Sequence, residues 1–143
     1  MKKYKLGYTS GVFDLFHIGH LNILKKAKEQ CEHLIVAVST DELVQSYKNK
    51  TPVIPFAERL EIVQAISFVD EVTAQTTRDK IAAMEKFQFD VMFVGSDWKG
   101  SPLFTETERI LKANDVDVVY FPYTSNTSST LLTQTLNKIV QTH

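Results

Sequence analysis

The chain has 143 residues, 43% of them hydrophobic, enough to bury a core within the usual size of one domain. Sixteen basic against seventeen acidic residues leave a formal charge of −1, which excludes a broadly basic nucleic-acid surface and an acidic disordered tail, so any bound anion has to be held by a local cluster. The lone cysteine, Cys31, closes no internal disulfide and fits a buried small side chain in a reducing cytoplasm, while the absence of a secretion-type apolar run in MKKYKLGYTSG, or of about eighteen consecutive apolar residues anywhere, leads us to expect no membrane insertion.

In chain order, Leu6 to Val12 reads as a first strand. A helix starting near His17 to His20 follows, with Leu21, Leu24, Ala27 and Cys31 on one face and Lys25, Lys26, Lys28 and Glu29 on the other. HLIVAVST (His33 to Thr40) is a second strand whose continuous apolar run suits burial on both faces. Pro55 is a favourable opening for a helix carrying Leu60, Val63 and Ile66 or Ser67, with Glu58, Arg59 and Glu61 interleaved. FVDEVTA (Phe68 to Ala74), DVMFVG (Asp90 to Gly95) and VDVVYF (Val116 to Phe121) supply three more strands, and Ile81 to Phe87, Glu106 to Ala113 and Ser128 to Val140 three more helices. The alternation predicts an α/β fold, a Rossmann-like three-layer sandwich on a mainly parallel five-stranded sheet, with residues 1–143 forming one domain. No internal repeat or low-complexity linker divides it.

GVFDLFHIGH (Gly11 to His20) then falls directly after the first strand and runs into the first helix, where open parallel sheets bind ligands. Residues three apart in a first helical turn share a face, so His17 and His20 can address one ligand. Gly19 leaves backbone room between them, and the unpaired N–H groups of the turn carry partial positive charge toward the same spot. An anion such as a phosphate group suits this arrangement. Metal binding is the weaker alternative: zinc wants roughly three or four protein ligands, and His33 and His143 show no ligand spacing with these two. The segment matches neither a Gly-rich dinucleotide fingerprint nor a Walker A loop.

GVFDLFHIGH resembles the H-x-G-H signature of the nucleotidylyltransferase superfamily, and G-x-F-D before it resembles the cytidylyltransferases. Across nearly the whole chain the sequence is similar to the bacterial glycerol-3-phosphate cytidylyltransferases, through STDELV after the second strand, Lys48 and Lys50 in YKNKTP, ERLEIV, VDEV and GSDWKG. The resemblance implies that the phosphate of an alcohol phosphate attacks the α-phosphorus of CTP, releasing pyrophosphate and forming a CDP-alcohol: CDP-glycerol for wall or capsule polymers in the leading reading, the CDP derivative of another alcohol or polyol phosphate in the alternative. It also implies a divalent ion, Mg²⁺, accompanying CTP, and a homodimer. An adenylyltransferase of the pantetheine-phosphate type shares H-x-G-H, but VDEV and GSDWKG point to the cytidylyl side.

The resemblance gives His17, His20 and Lys50 the catalytic roles, the histidines contacting the CTP phosphates. Gly11, Val12, Phe13 and Asp14 line the nucleotide loop, where Asp14 also suits holding the turn by accepting backbone N–H groups. Lys48 and Lys50 resemble the phosphate-binding lysine pair and are placed in a loop after the second β-α unit. Arg59 resembles an arginine that reaches the nucleotide phosphates, with a surface ion pair to Glu58 or Glu61 as the bland alternative. Asp70 and Lys80 match positions at the glycerol-phosphate end of the site, and Asp97 in GSDW belongs to the nucleotide.

The segment PYTSNTSST (Pro122 to Thr130) stands where the family reads Arg-Thr-x-Gly-x-Ser-Thr, so Tyr123 replaces an arginine and Asn126 a glycine. Thr124, Thr127, Ser128 and Ser129 remain as hydroxyl and amide donors for the β- and γ-phosphates. Val12 is a further departure, standing where threonine is frequent. The competing class is a nucleotide-binding module that has lost catalysis along with the arginine; intact His17, His20 and Lys50 speak against it.

Overall fold

The computed structural model describes residues 2–96, 100–122 and 129–142. Five strands form one sheet: β1 (Tyr4–Gly11), β2 (Cys31–Ser39), β3 (Glu71–Gln75), β4 (Val91–Gly95) and β5 (Asp117–Phe121), in the order β3-β2-β1-β4-β5 with every pairing parallel. The helices are α1 (Ile18–Gln30), α2 (Asp41–Lys48), α3 (Phe56–Gln64), α4 (Lys80–Phe87), α5 (Pro102–Ala113) and α6 (Ser129–Thr142). This is the expected Rossmann-like architecture. Among the described residues no helix is long and apolar enough to cross a membrane.

Burial on both faces follows from the unbroken apolar run of β2. Leu34, Val36 and Val38 enter one cluster with Leu24 and Ala27 of α1 and Val63 of α3, while Ile35 and Ala37 enter another with Phe104 and Leu111 of α5 and the half-buried Ile81, Met84 and Phe87 of α4. Adjacent strand residues point to opposite faces, so a run without polar interruption needs helices on both sides. Glycine is required at Gly7, where a Cβ would lie 2.7 Å from both Cys31 Sγ and Phe93 Cε2. Cys31 is fully buried, as expected, though it opens β2 rather than continuing α1.

Several boundaries depart from the expectation for local reasons. The chain has an extra helix, α2, with only Leu43 and Val44 buried; Thr40 accepts from the Leu43 N–H and caps it, so Thr40 ends no strand. That helix is only eight residues long, so its apolar face, Leu43, Val44 and the half-buried Tyr47, spans little more than one repeat. Helix α5 begins at Pro102, four residues earlier than expected, because Ser101 caps it by accepting from the Phe104 N–H and proline takes the first turn. Strand β3 starts later than predicted because the chain turns through Ile66–Val69 before Asp70 N–H reaches Leu34 O.

From β1 the sheet grows through β2 to β3 on one side and through β4 to β5 on the other, so the direction of winding switches between β1 and β4. The loop leaving β1 therefore emerges at the crevice where such sheets bind ligands.

Candidate active site

The β1–α1 loop bends sharply, with Phe13 at φ +55° and Leu15 at φ +50°, both in the left-handed region that non-glycine residues rarely enter. The buried Phe13 ring anchors it; a Cβ on Gly11 would come within 3.1 Å of that ring. Asp14, between the two strained residues, accepts from the N–H groups of Val53 and Ile54 at 2.7 and 2.9 Å, and from Leu15 N–H at 3.1 Å. Its carboxylate thus fastens the loop of His17 to the segment that follows Lys50.

His17 and His20 form a reciprocal cap on α1. Nδ1 of His17 accepts from Gly19 N–H at 2.9 Å, and Nδ1 of His20 accepts from His17 N–H at 3.3 Å. A backbone N–H can only donate, so each Nδ1 presents a lone pair and each neutral ring carries its proton on Nε2. The rings stack with centroids 4.0 Å apart, and His20 also lies edge-on to Phe13 at 5.4 Å. Burial and the neighbouring His17 hold the His20 pKa down to about 4, against a weaker pull upward from Asp14, and burial lowers that of His17. Both rings are neutral at pH 7, and the caps leave two Nε2–H donors for a ligand at the mouth of the sheet.

Cations gather beside this pair. Lys48 is the last residue of α2, and Lys50 lies just beyond Asn49, which closes the helix in the left-handed conformation at φ 53°; Lys48 is therefore helical where a loop was expected. Partial desolvation, then Lys50 and Arg78, lower the Lys48 pKa, with Asp14 acting against them. Lys80 opens α4 and donates to Ser10 Oγ, near the end of β1, at 2.6 Å; burial and Arg78 bring its pKa down to about 8.

Arg59 differs from both roles expected of it. Its side chain is fully buried, and the guanidinium donates to Ile54 O at 2.8 Å, to Val12 O and Ser39 O at 2.7 Å each, and to Asp41 Oδ1 at 2.6 Å. It is neither a surface partner of Glu58 or Glu61 nor placed to reach a phosphate directly; it ties the ends of β1 and β2 to the start of α3. Asp70 is a second correction. It precedes β3 at the amino edge of the sheet, where it accepts from Leu34 N–H at 2.8 Å and Lys28 Nζ at 2.6 Å, so the sheet separates it from the histidines. Asp97, Tyr123, Thr124, Thr127 and Ser128 lie outside the described residues, and Ser129 is the first residue of α6.

The sequence reading missed Arg78, Tyr47 and Asp41. Arg78 lies in the loop after β3, with its guanidinium carbon 4.2 Å from the centroid of the Tyr47 ring. The cue available for it was the run Arg78-Asp79-Lys80 at the end of a strand; for Asp41, it was STDELV.

A family model described as cytidylyltransferase-like matches residues 8–139. The chain belongs to the cytidylyltransferase-like family. Among curated relatives of this cytidylyltransferase-like protein, a glycerol-3-phosphate cytidylyltransferase of Staphylococcus aureus is 34% identical over 90% of this chain and 92% of its own length. One of Bacillus spizizenii is 35% identical over 85% and 89%. An FAD synthase of Thermococcus sibiricus is 30% identical over 94% and 91%. Among solved structures, a lipopolysaccharide core biosynthesis protein of Thermoplasma volcanium shares the fold at a TM-score of 0.70 and 22% identity, covering 85% of this chain and 97% of that one.

Proposed function

We propose that this cytidylyltransferase-like protein transfers a cytidylyl group from CTP to glycerol 3-phosphate, giving CDP-glycerol and pyrophosphate. The observation that carries the reading is the reciprocally capped, neutral His17–His20 pair at the switch point of the sheet, with two Nε2–H donors beside a cluster of cations. Support for the substrate comes from the relatives named glycerol-3-phosphate cytidylyltransferase, which are 34% and 35% identical to this chain.

The chemistry asks little proton transfer of the protein. A phosphate monoester, with a second pKa of about 6, is mostly a dianion at neutral pH. One of its oxygens forms a bond to the α-phosphorus of CTP, the bond from that phosphorus to the bridging oxygen breaks, and the electron pair leaves with pyrophosphate. Catalysis is then positioning of two polyanions and stabilisation of charge moving onto the leaving group. Neutral Nε2–H donors suit this task, because they approach the phosphates through hydrogen bonds already oriented by the caps. Mg²⁺ enters as part of the substrate, carried on the triphosphate. Asp14 and Asp41 are engaged by backbone N–H groups and by Arg59, and among the described residues no three His, Cys, Asp or Glu side chains form a cage.

A second reading is favoured by the FAD synthase relatives, one of them 32% identical over 94% of this chain: nucleotidyl transfer onto a flavin phosphate, which uses the same attack by a phosphomonoester. The deciding experiment pairs CTP or ATP with glycerol 3-phosphate, another polyol phosphate or flavin mononucleotide, and follows pyrophosphate release and product mass. CDP-glycerol formed with a kcat/KM above every other pair supports the first reading. Preference for ATP with the flavin replaces it, and no release with any pair points to a binding module.

A further inference from the structure

Helix α4 stands off the sheet. None of its residues is fully buried, and beneath it lies a cavity of about 90 Å³. Protein interiors are close-packed, so a void between two layers has a local cause. The cause here is side-chain size, because Ala37 of β2 and Ala82 and Ala83 of α4 line the gap without filling it. Tyr8 and Phe87, stacked with centroids 5.8 Å apart, line it toward the last turn of α4, and Gln75, Thr76 and Thr77 line it where β3 leaves the sheet at the carboxyl edge. We propose that Gln75 is a specificity-determining residue, its side-chain amide donating in this cavity to a hydroxyl on the end of the acceptor remote from its phosphate. This rests on the nucleotidyl-transfer reading and adds to it a contact that selects the acceptor.

The first argument is a donor that the fold does not use. Gln75 is only 8% exposed. Its Oε1 accepts from Ser39 Oγ at 2.6 Å and its backbone carbonyl accepts from Thr40 N–H at 3.1 Å, so both ends of the residue are fixed. Its Nε2 donates to none of the described residues, yet no side-chain nitrogen or oxygen among them is both sealed from solvent and unpartnered. The amide nitrogen therefore opens on the cavity that Gln75 lines. A donor held in place by Ser39 and left without an acceptor is prepared for a ligand oxygen.

Position is the second. Ser39 O and Val12 O accept from the same guanidinium nitrogen of Arg59, at 2.7 Å each. The strand end that holds Gln75 thus lies against the loop that leads to His17 and His20. Lys80, the first residue of α4, donates to Ser10 Oγ at 2.6 Å and joins the roof of the cavity to the end of β1. An acceptor whose phosphate meets this cation has the space beneath the same helix for its remaining atoms.

Chemistry is the third. The lining carries one cation, Lys86, and one carboxylate, Asp79, so a neutral polar group suits it. Asp79, Thr76 and Thr77 carry acceptors for the proton of a hydroxyl whose oxygen accepts from Gln75, while its carbons meet the three alanines. Size narrows the class: a cavity of roughly 150 Å³ admits a single benzene ring, so the smaller one here takes a short polyol and excludes the three fused rings of a flavin.

The test compares two acceptors, glycerol 3-phosphate and propyl phosphate, which lacks both hydroxyls, by pyrophosphate release from CTP. The ratio of kcat/KM for the first over the second should fall about ten-fold in Gln75→Leu, the loss expected of one buried hydrogen bond. General damage to the site lowers both values and leaves the ratio, so an unchanged ratio, or a wild type that does not discriminate, overturns the proposal. Ser39→Ala frees the amide from its anchor and should lower the ratio too; if the melting temperature shows that Gln75→Leu does not fold, this variant decides by the same criterion. If the wild type turns over neither acceptor, the failure belongs to the assigned reaction, and calorimetry with the same two phosphates decides on the cavity. Glycerol 3-phosphate bound more tightly than propyl phosphate by the wild type, with the difference lost in the variant, supports it; no difference in the wild type, or no binding, overturns it.

Discussion

The guanidinium of Arg59 donates to the carbonyl of Val12 at 2.7 Å, across 47 residues of chain. The same side chain holds Ser39 O, Ile54 O and the carboxylate of Asp41, so one fully buried cation joins the exits of β1 and β2 to the entry of α3. Asp14 completes the arrangement by accepting from Val53 and Ile54 N–H groups. The loop bearing the histidines and the segment following Lys50 are therefore one mechanical unit, in which Asp14 holds the turn as expected and Arg59, expected at the nucleotide, instead builds the frame.

Removing Arg59 tests that frame. Arg59→Met leaves three carbonyls and the partly exposed Asp41 carboxylate without their donor, and orphaning several acceptors around a buried cation costs about 3–5 kcal/mol in all. Urea denaturation should show a loss on that scale. A change under about 1 kcal/mol, within the range of an exposed pair, would contradict the burial described here.

Asp70 makes the converse case. Burial pushes its pKa up, but the Lys28 ammonium and the Leu34 N–H outweigh that and hold it below the usual carboxylate range. A lowered folded-state pKa means that stability is present above the unfolded pKa and is lost as pH falls through the folded value. Asp70→Ala should cost about 1–2 kcal/mol at neutral pH, for an exposed charge-assisted bond and one orphaned N–H, and should flatten the acid limb of the stability curve. Its KM for the acceptor should match wild type, because the residue sits at the amino edge of the sheet. An acceptor KM raised by about ten-fold would put Asp70 back at the site.

Lys80 sets an expectation for alkaline pH. Its pKa of about 8 in the unliganded protein, lowered by burial and Arg78, means that the ammonium is lost as pH rises through that value. The profile of kcat/KM for the acceptor, which reports free-enzyme groups, should bend downward near there. A bound dianion favours the ammonium, so the limb in kcat should lie higher. Lys80→Arg should remove the bend in kcat/KM, and an unchanged bend would assign it to another group.

Much of the fold was legible because its signals are long or repeated. Five apolar runs alternating with helical spacing lead to a parallel sheet flanked by helices, and H-x-G-H at the end of the first run marks the mouth of that sheet. Helix α2 was not legible, since its eight residues bury only Leu43 and Val44. The burial of Arg59 was hidden too: an arginine between Glu58 and Leu60 looks solvated until Val12, Ser39 and Ile54 are brought around it by tertiary structure. Asp70 shows the limit of a motif match, because VDEV locates a strand but not the edge of the sheet at which its aspartate lies. Arg78 was missed because its partner Tyr47 is 31 residues away in sequence (78 − 47) and lies on the helix that was itself overlooked.

The central claim is that His17 and His20 serve the reaction through Nε2–H while Nδ1 serves the helix. Asparagine places its amide near the position of Nδ1 and is among the best helix caps, so His17→Asn keeps the cap and deletes the Nε2 donor. Pyrophosphate release from CTP with glycerol 3-phosphate, measured for this variant alongside its melting temperature, separates the two roles. The account predicts an unchanged melting temperature and a kcat lower by about 100-fold or more, the cost of losing one preorganised transition-state donor. A variant that melts and turns over like wild type would show that His17 only caps a helix.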